Sequence, residues 1–182
     1  MRIYTKIIII LLFAFSLSGC TILPVSQDPA DEYSPPTRPT LEEALAEYSS
    51  LMQSDLPEDT RLTIYYISPA LLTRAPVSVE QLMTFSDVKI INVTAAELRQ
   101  IQPLLKKLDA SILQPVQEET YINARLYYVI ETSDSNKILE VVTTNILHQS
   151  VFVNGVEVEN DPIFFDIISP FLTEEDIKIL NL

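Results

Sequence analysis

The chain has 182 residues, a formal net charge of −13 and an apolar fraction of 47%. That length allows one domain with its own core plus a tail, and the acidic balance excludes the basic stripe on which nucleic-acid binding rests, so no nucleic-acid partner is expected. Glycine occurs only as Gly19 and Gly155, which excludes glycine-rich phosphate loops, the dinucleotide-binding fingerprint and the glycine-flanked nucleophile elbow, because each needs several.

The first stretch has the organisation of an export signal. Arg2 and Lys6 precede the apolar run Ile7 to Leu17, and Leu17-Ser18-Gly19-Cys20 follows directly. A positive start, roughly 7 to 15 apolar residues and small residues before a cleavage point are what a secretory signal requires. The last four residues resemble the lipobox of bacterial lipoproteins. That resemblance implies that residues 1–19 are a signal peptide cut before Cys20, that the Cys20 thiol carries a diacylglycerol, and that the new amino terminus is acylated. It covers the first twenty residues and implies nothing about the rest.

Cys20 is the sole cysteine, so it has no intramolecular disulfide partner, and lipid attachment gives the thiol a role. Each buried methylene contributes about 0.8 kcal/mol, and two or three acyl chains make a durable anchor. The competing reading is an uncleaved transmembrane helix over Ile7 to Val25, but Ser16, Ser18, Gly19, Thr21 and Pro24 crowd its second half. Under either reading Arg2 and Lys6 stay inside and Thr40 to Leu182 lies outside the cytoplasm. The expected location is therefore a bacterial cell membrane or envelope, with the lipid on Cys20 holding the chain to the membrane.

Residues 20–39 form the lipidated cysteine and a tether. Pro24, Pro29, Pro35, Pro36 and Pro39 alternate with polar residues, a composition that favours extended polyproline II at about 3 Å per residue. Loss of the signal removes Arg2 and Lys6 and takes the net charge to −15, which keeps an anchored domain soluble and away from anionic lipid.

Residues 40–182 read as a single globular α+β domain. Thr40-Leu41-Glu42-Glu43 is a capping box, and Leu41, Ala44, Leu45, Tyr48, Leu51 and Met52 give the helix behind it one apolar stripe that ends before Pro57. Arg61 to Ser68 is rich in β-formers and reads as a strand. Ser78-Val79-Glu80-Gln81 repeats the capping logic for a short helix, and Val88 to Val93 is a further strand. Thr94-Ala95-Ala96-Glu97 opens a helix to about Asp109, with a kink or restart at Pro103 because proline cannot donate to the Arg99 carbonyl.

Thr120 to Thr132 and Lys137 to Leu147 flank the polar turn Ser133-Asp134-Ser135-Asn136 and predict a hairpin. If Thr132 faces Lys137, Ile130 faces Leu139, Tyr128 faces Val141 and Leu126 faces Thr143. Asn154-Gly155 between Ser150 to Val153 and Val156 to Glu159 predicts a second, tight hairpin. Asp161-Pro162 opens a helix with Ile163, Phe164, Ile167, Ile168 and Phe171 on its apolar face. Thr173, followed by Glu174, Glu175 and Asp176, caps the last one. The expected architecture is α+β: a mainly antiparallel sheet with two hairpins and packed amphipathic helices.

No residue pattern identifies a catalytic centre, a cofactor or a metal. His148 is the sole histidine, whereas acyl-transfer triads need one in company and zinc sites usually need several ligands. Glu157, Glu159 and Asp161 lack the spacing of a calcium loop and read as solvated charge; Glu174, Glu175 and Asp176 read as helix-start chemistry. The residues best placed to contact a partner are Tyr127 and Arg125, on the hairpin face opposite Tyr128 and expected to be partly exposed. The leading expectation is a membrane-anchored extracytoplasmic lipoprotein with a non-enzymatic binding domain, its partner an envelope or secreted component. The alternatives are an envelope hydrolase using scattered carboxylates, or an inhibitor or immunity-type protein whose acidic surface meets a basic partner.

Overall fold

The computed structural model describes residues 40–116, 120–133, 136–144 and 150–180. The expected signal segment, the expected lipobox residues Leu17, Ser18, Gly19 and Cys20, the expected tether and His148 lie outside the described residues. Among the described residues no helix is long and apolar enough to cross a membrane.

Each of the three expected capping boxes opens a helix. Thr40 begins α1 (Leu41–Gln53): its hydroxyl accepts the Glu43 N–H at 3.2 Å, and the Glu43 carboxylate accepts the Thr40 N–H at 2.8 Å. Two orphan donors are satisfied by one reciprocal pair. Ser78 and Gln81 do the same for α2 (Val79–Met83), and Thr94 and Glu97 for α3 (Ala95–Gln100). Pro103 produces a restart: Ile101 leaves helical geometry at φ −105°, ψ 7°, and α4 (Gln102–Leu105) begins with proline in its first turn, where no N–H is needed.

The strands are β1 (Arg61–Tyr66), β2 (Lys89–Thr94), β3 (Leu126–Glu131), β4 (Lys137–Thr143), β5 (Val151–Val153) and β6 (Val156–Val158). They form one six-stranded sheet in the order β2-β1-β3-β4-β5-β6, and every neighbouring pair is antiparallel. Helix α5 (Ile163–Asp166), a 3-10 turn (Ser169–Phe171) and α6 (Glu174–Leu180) complete an α+β fold. The outer edge of β6 is capped by residues 114–116: Pro115 bridges Val158, and the Glu159 N–H donates to the Gln114 carbonyl at 2.8 Å.

The β3–β4 register matches the expected one at Ile130–Leu139, Tyr128–Val141 and Leu126–Thr143. It departs at the turn, where Lys137 pairs with Glu131 in place of Thr132 and the register shifts between Ile130 and Glu131. The shift inserts one residue without turning the inner-face set outward. Strand β3 also starts at Leu126, later than the expected Thr120. The Asn154-Gly155 turn has φ 46° and 83° at its two central residues, as a tight hairpin turn of the primed type requires.

The principal core lies on one sheet face. Leu62, Ile64 and Tyr66 of β1, Leu126, Tyr128 and Ile130 of β3, and Leu139 and Val141 of β4 pack there with Leu45 and Tyr48 of α1, Leu98 of α3 and Phe164 of α5. Each such side chain taken fully out of water contributes about 1.5–3 kcal/mol. Two tyrosine hydroxyls inside this core donate to carbonyls, Tyr48 to Leu105 at 2.7 Å and Tyr128 to Phe164 at 3.0 Å, so neither is an unpaired buried donor.

The opposite face corrects the expectation for Tyr127 and Arg125. Tyr127 does point away from Tyr128, but it is 1% exposed, and Arg125 is 4% exposed. A second apolar cluster covers that face: Ile67, Val77, Leu82, Ala124, Tyr127, Val129, Val142 and Phe152, with Leu71, Met83 and Phe85 against it. The cover is supplied by the β1–β2 connection and α2. The alternation in β3 is real, but both of its sides are interior.

Candidate functional site

The β1–β2 connection encloses the one buried guanidinium among the described residues. The chain leaves β1 at Ile67, whose N–H donates to the Arg125 carbonyl at 3.0 Å. It returns at Val77, whose carbonyl accepts the Ala124 N–H at 2.8 Å and whose N–H donates to Asn123 Oδ1 at 3.1 Å. Residues 69–76 therefore form a loop with both ends pinned on the segment that leads into β3. Pro69 and Pro76 stand near those ends and restrict the backbone.

Under the loop is a cavity of about 250 Å³ walled by Leu72, Thr73, Arg74, Tyr121, Asn123 and Arg125, among others. On the loop's other side a larger groove of about 510 Å³ runs toward α2, with Leu71, Pro76, Gln81 and Phe85 in its walls. Leu72 is 96% exposed at the crest between them and Tyr121 73% exposed at the rim. Leu72 therefore takes no part in either hydrophobic cluster and is in reach of a molecule seated in either concavity.

Arg125 has five N–H donors and weak partners for only some of them. Nη1 reaches the Ala124 carbonyl at 3.3 Å, and Nη2 reaches the Leu71 carbonyl at 3.4 Å and Thr73 Oγ1 at 3.2 Å. Nε is buried with no acceptor among the described residues. Burial pushes the guanidinium pKa down. A buried cation is ordinarily matched by an anion because desolvation is costly; here the neighbouring cavity holds a second arginine, Arg74, instead.

Tyr127, two residues on, is locked. Its hydroxyl donates to Glu140 Oε1 at 2.5 Å, and its ring stacks on Tyr65 with centroids 5.8 Å apart. Lys137 Nζ lies 2.6 Å from the same Glu140 oxygen and 6.0 Å from the Tyr127 ring centre. Burial first, and then the Glu140 hydrogen bond, raise the phenol pKa far above the usual value. The structure thus brings Arg125 to a cavity and Tyr127 to a closed polar network.

The acidic groups separate in the same manner. Asp176 is 7% exposed and joins three elements: it accepts from the Tyr66 hydroxyl, from Lys89 Nζ at 3.2 Å, and from the Thr173 N–H and hydroxyl at 2.9 and 2.8 Å. The Tyr66 hydrogen bond above all, with help from Thr173 and Lys89, holds its carboxyl well below the usual range despite burial. A carboxylate so saturated is a poor proton acceptor at neutral pH. Its job is to fasten α6 to β1 and β2.

Glu157, Glu159 and Asp161 do not converge. Glu157 is buried, contrary to the expectation of solvated charge, and accepts the Thr120 N–H at 2.5 Å and the Thr120 hydroxyl at 3.0 Å. Asp161 accepts the Ile163 N–H, at the start of α5, at 2.8 Å, and Glu159 is exposed. Among the described residues no group of three or more His, Cys, Asp or Glu side chains is arranged to hold a metal ion.

Two of these arrangements escaped the sequence reading. The Tyr66–Asp176 contact joins residues 110 apart, and no local pattern announces it. The cover over Arg125 had one available signal: Leu126 to Ile130 contains five consecutive apolar or aromatic residues, which is how a strand buried on both faces reads. Comparison with protein-family models, curated proteins and solved structures finds no match to this chain.

Proposed function

We propose that this chain is a lipid-anchored extracytoplasmic lipoprotein of a bacterial envelope, whose folded domain binds another envelope component or secreted molecule without transforming it. The anchor is carried by one observation, the succession of Arg2 and Lys6, the apolar run to Leu17, and Leu17-Ser18-Gly19-Cys20. The binding role is supported by the loop over Arg125, with a cavity on one side, a groove on the other and an exposed leucine between them. It is also supported by Tyr66 and Tyr127, whose hydroxyl protons are held in hydrogen bonds to Asp176 and Glu140 that fix the fold.

The experiment takes native protein from its own membrane. Its intact mass is expected to begin at Cys20 and to include the diacylglycerol and an amino-terminal acyl chain. Crosslinking in the intact envelope is expected to capture a partner that is lost when residues 40–182 are deleted and the anchor is kept. A species beginning at Met1 with a free thiol refutes the anchor. A lipidated chain with no domain-dependent partner across growth conditions refutes the binding role.

A further inference from the structure

We infer that the cavity beneath the 69–76 loop is a binding site for a carboxylate borne on a small apolar body, with Arg125 and Arg74 as its cationic wall. The inference rests on the reading of the domain as a binding module and names the chemistry that module takes.

Three observations meet there. The first is the unmatched charge: Arg125 is 4% exposed and, among the described residues, its Nε has no acceptor and no carboxylate pairs with it. The second is the lining. Arg74, Thr73, Tyr121 and Asn123 add polar groups around the guanidinium, and among the described residues no Asp or Glu belongs to the wall. The third is shape, because Pro69, Leu71 and Leu72 supply apolar surface beside the charge.

The chemistry that fits is narrow. A guanidinium presents its N–H groups as a planar fork that matches a carboxylate's two oxygens. The acceptors it now has, the Ala124 and Leu71 carbonyls at 3.3 and 3.4 Å and the Thr73 hydroxyl at 3.2 Å, are at the weak end of the hydrogen-bond range and exchange for an anion at little cost. The cavity, about 250 Å³, is smaller than the roughly 300–1,000 Å³ of sites for drug-sized molecules, so it suits a body of one or two residues. A mature chain with a net charge of −15 repels multiply charged phosphates more strongly than a single carboxylate. A peptide's C-terminal end with an apolar last residue and a short fatty acid share this chemistry.

The test is calorimetric titration of the full-length protein in detergent, with ligand-observed NMR as a second readout. The probes are N-acetyl-L-leucine for the peptide end, hexanoate for the fatty acid, and N-acetyl-L-leucinamide as the uncharged control. At least one acid is expected to bind in the low-millimolar range, with N-acetyl-L-leucine exceeding its amide by about tenfold or more if the peptide end is the source. Arg125→Met is expected to abolish acid binding. Because Arg74 is exposed at the rim, Arg74→Ala is expected to weaken binding severalfold with an unchanged melting temperature, which covers the case in which the Arg125 variant does not fold. Equal binding of acid and amide, undiminished binding by a folded Arg125→Met, or no binding of either acid overturns the inference. Loss of acid binding in a protein that is still lipidated and still crosslinks to a partner fails this inference alone; acid binding by a protein with an unmodified Cys20 fails the anchor alone.

Discussion

Replacing Tyr66 with phenylalanine deletes one oxygen from the Asp176 cluster and leaves the ring in the core. The hydroxyl is the donor that contributes most to holding the Asp176 carboxyl in its ionised form, and a hydrogen bond to a charged group is worth about 1.5–3 kcal/mol. Lys89 at 3.2 Å and the two Thr173 donors remain, so the charge is still paired and the cost falls near about 2 kcal/mol. For a domain of this length that is a drop of about 7 °C in melting temperature.

The pH dependence has a definite sign. Asp176 has its pKa depressed in the folded state, so the folded chain holds that proton less tightly than the unfolded chain. Its contribution is complete above the ordinary Asp value of about 3.9 and is lost as the pH falls through the depressed one. Urea unfolding of wild type, Tyr66→Phe, Asp176→Asn and the double variant should be followed between pH 7 and pH 2. The difference between wild type and Tyr66→Phe is expected to shrink as the pH falls below about 4, and the pair should show a coupling of about 1–2 kcal/mol at neutral pH. A cost under about 0.5 kcal/mol at neutral pH, or a cost that grows in acid, refutes the reasoning.

Further outcomes follow from other contacts. Gly155→Ala meets no atom within 4 Å but keeps φ at +83°, so it should cost about 1 kcal/mol of backbone strain in a denaturant melt. Asn154→Ala should cost more, about 2–4 kcal/mol, because the side chain also donates to the Ala44 and Ile138 carbonyls at 2.5 and 3.1 Å and accepts the Glu140 N–H at 2.6 Å. Tyr128→Phe removes the donor to the Phe164 carbonyl inside the core and should cost about 1–3 kcal/mol in the same melt. Thr94→Ala should cost about 1 kcal/mol through loss of the α3 cap; no change on removing that hydroxyl would show the box to be ornamental.

What was legible in the chain is what local chemistry decides. Thr40, Ser78 and Thr94 each meet an acceptor three residues on, so their boxes form without help from the rest of the fold. The pairing of Ile130 with Leu139 follows from parity along two strands joined by a short polar turn. The slip at Glu131 does not, because one inserted residue beside the turn preserves the parity of everything beyond it. The burial of Arg125 and Tyr127 was hidden for a different reason: residues 67–88 fold back over that face, and a proline-bounded connection carries no mark of the surface it will land on. Asp176 was assigned a helix-start role and has it, but its bonds to Tyr66 and Lys89 depend on strand order, which no local pattern encodes.

The order of the sheet also bears on how the chain reaches its final state. β1 lies between β2 and β3, and its pairing with β3 joins Arg61 to Glu131, 70 residues apart. During synthesis, which runs from the amino terminus, Leu62 and Ile64 wait for that partner with one flank uncovered, and the loop-closure entropy is met before any contact repays it. A chain truncated before Leu126 is therefore left with an open strand beside β1, a species prone to associate and a natural substrate for holding chaperones.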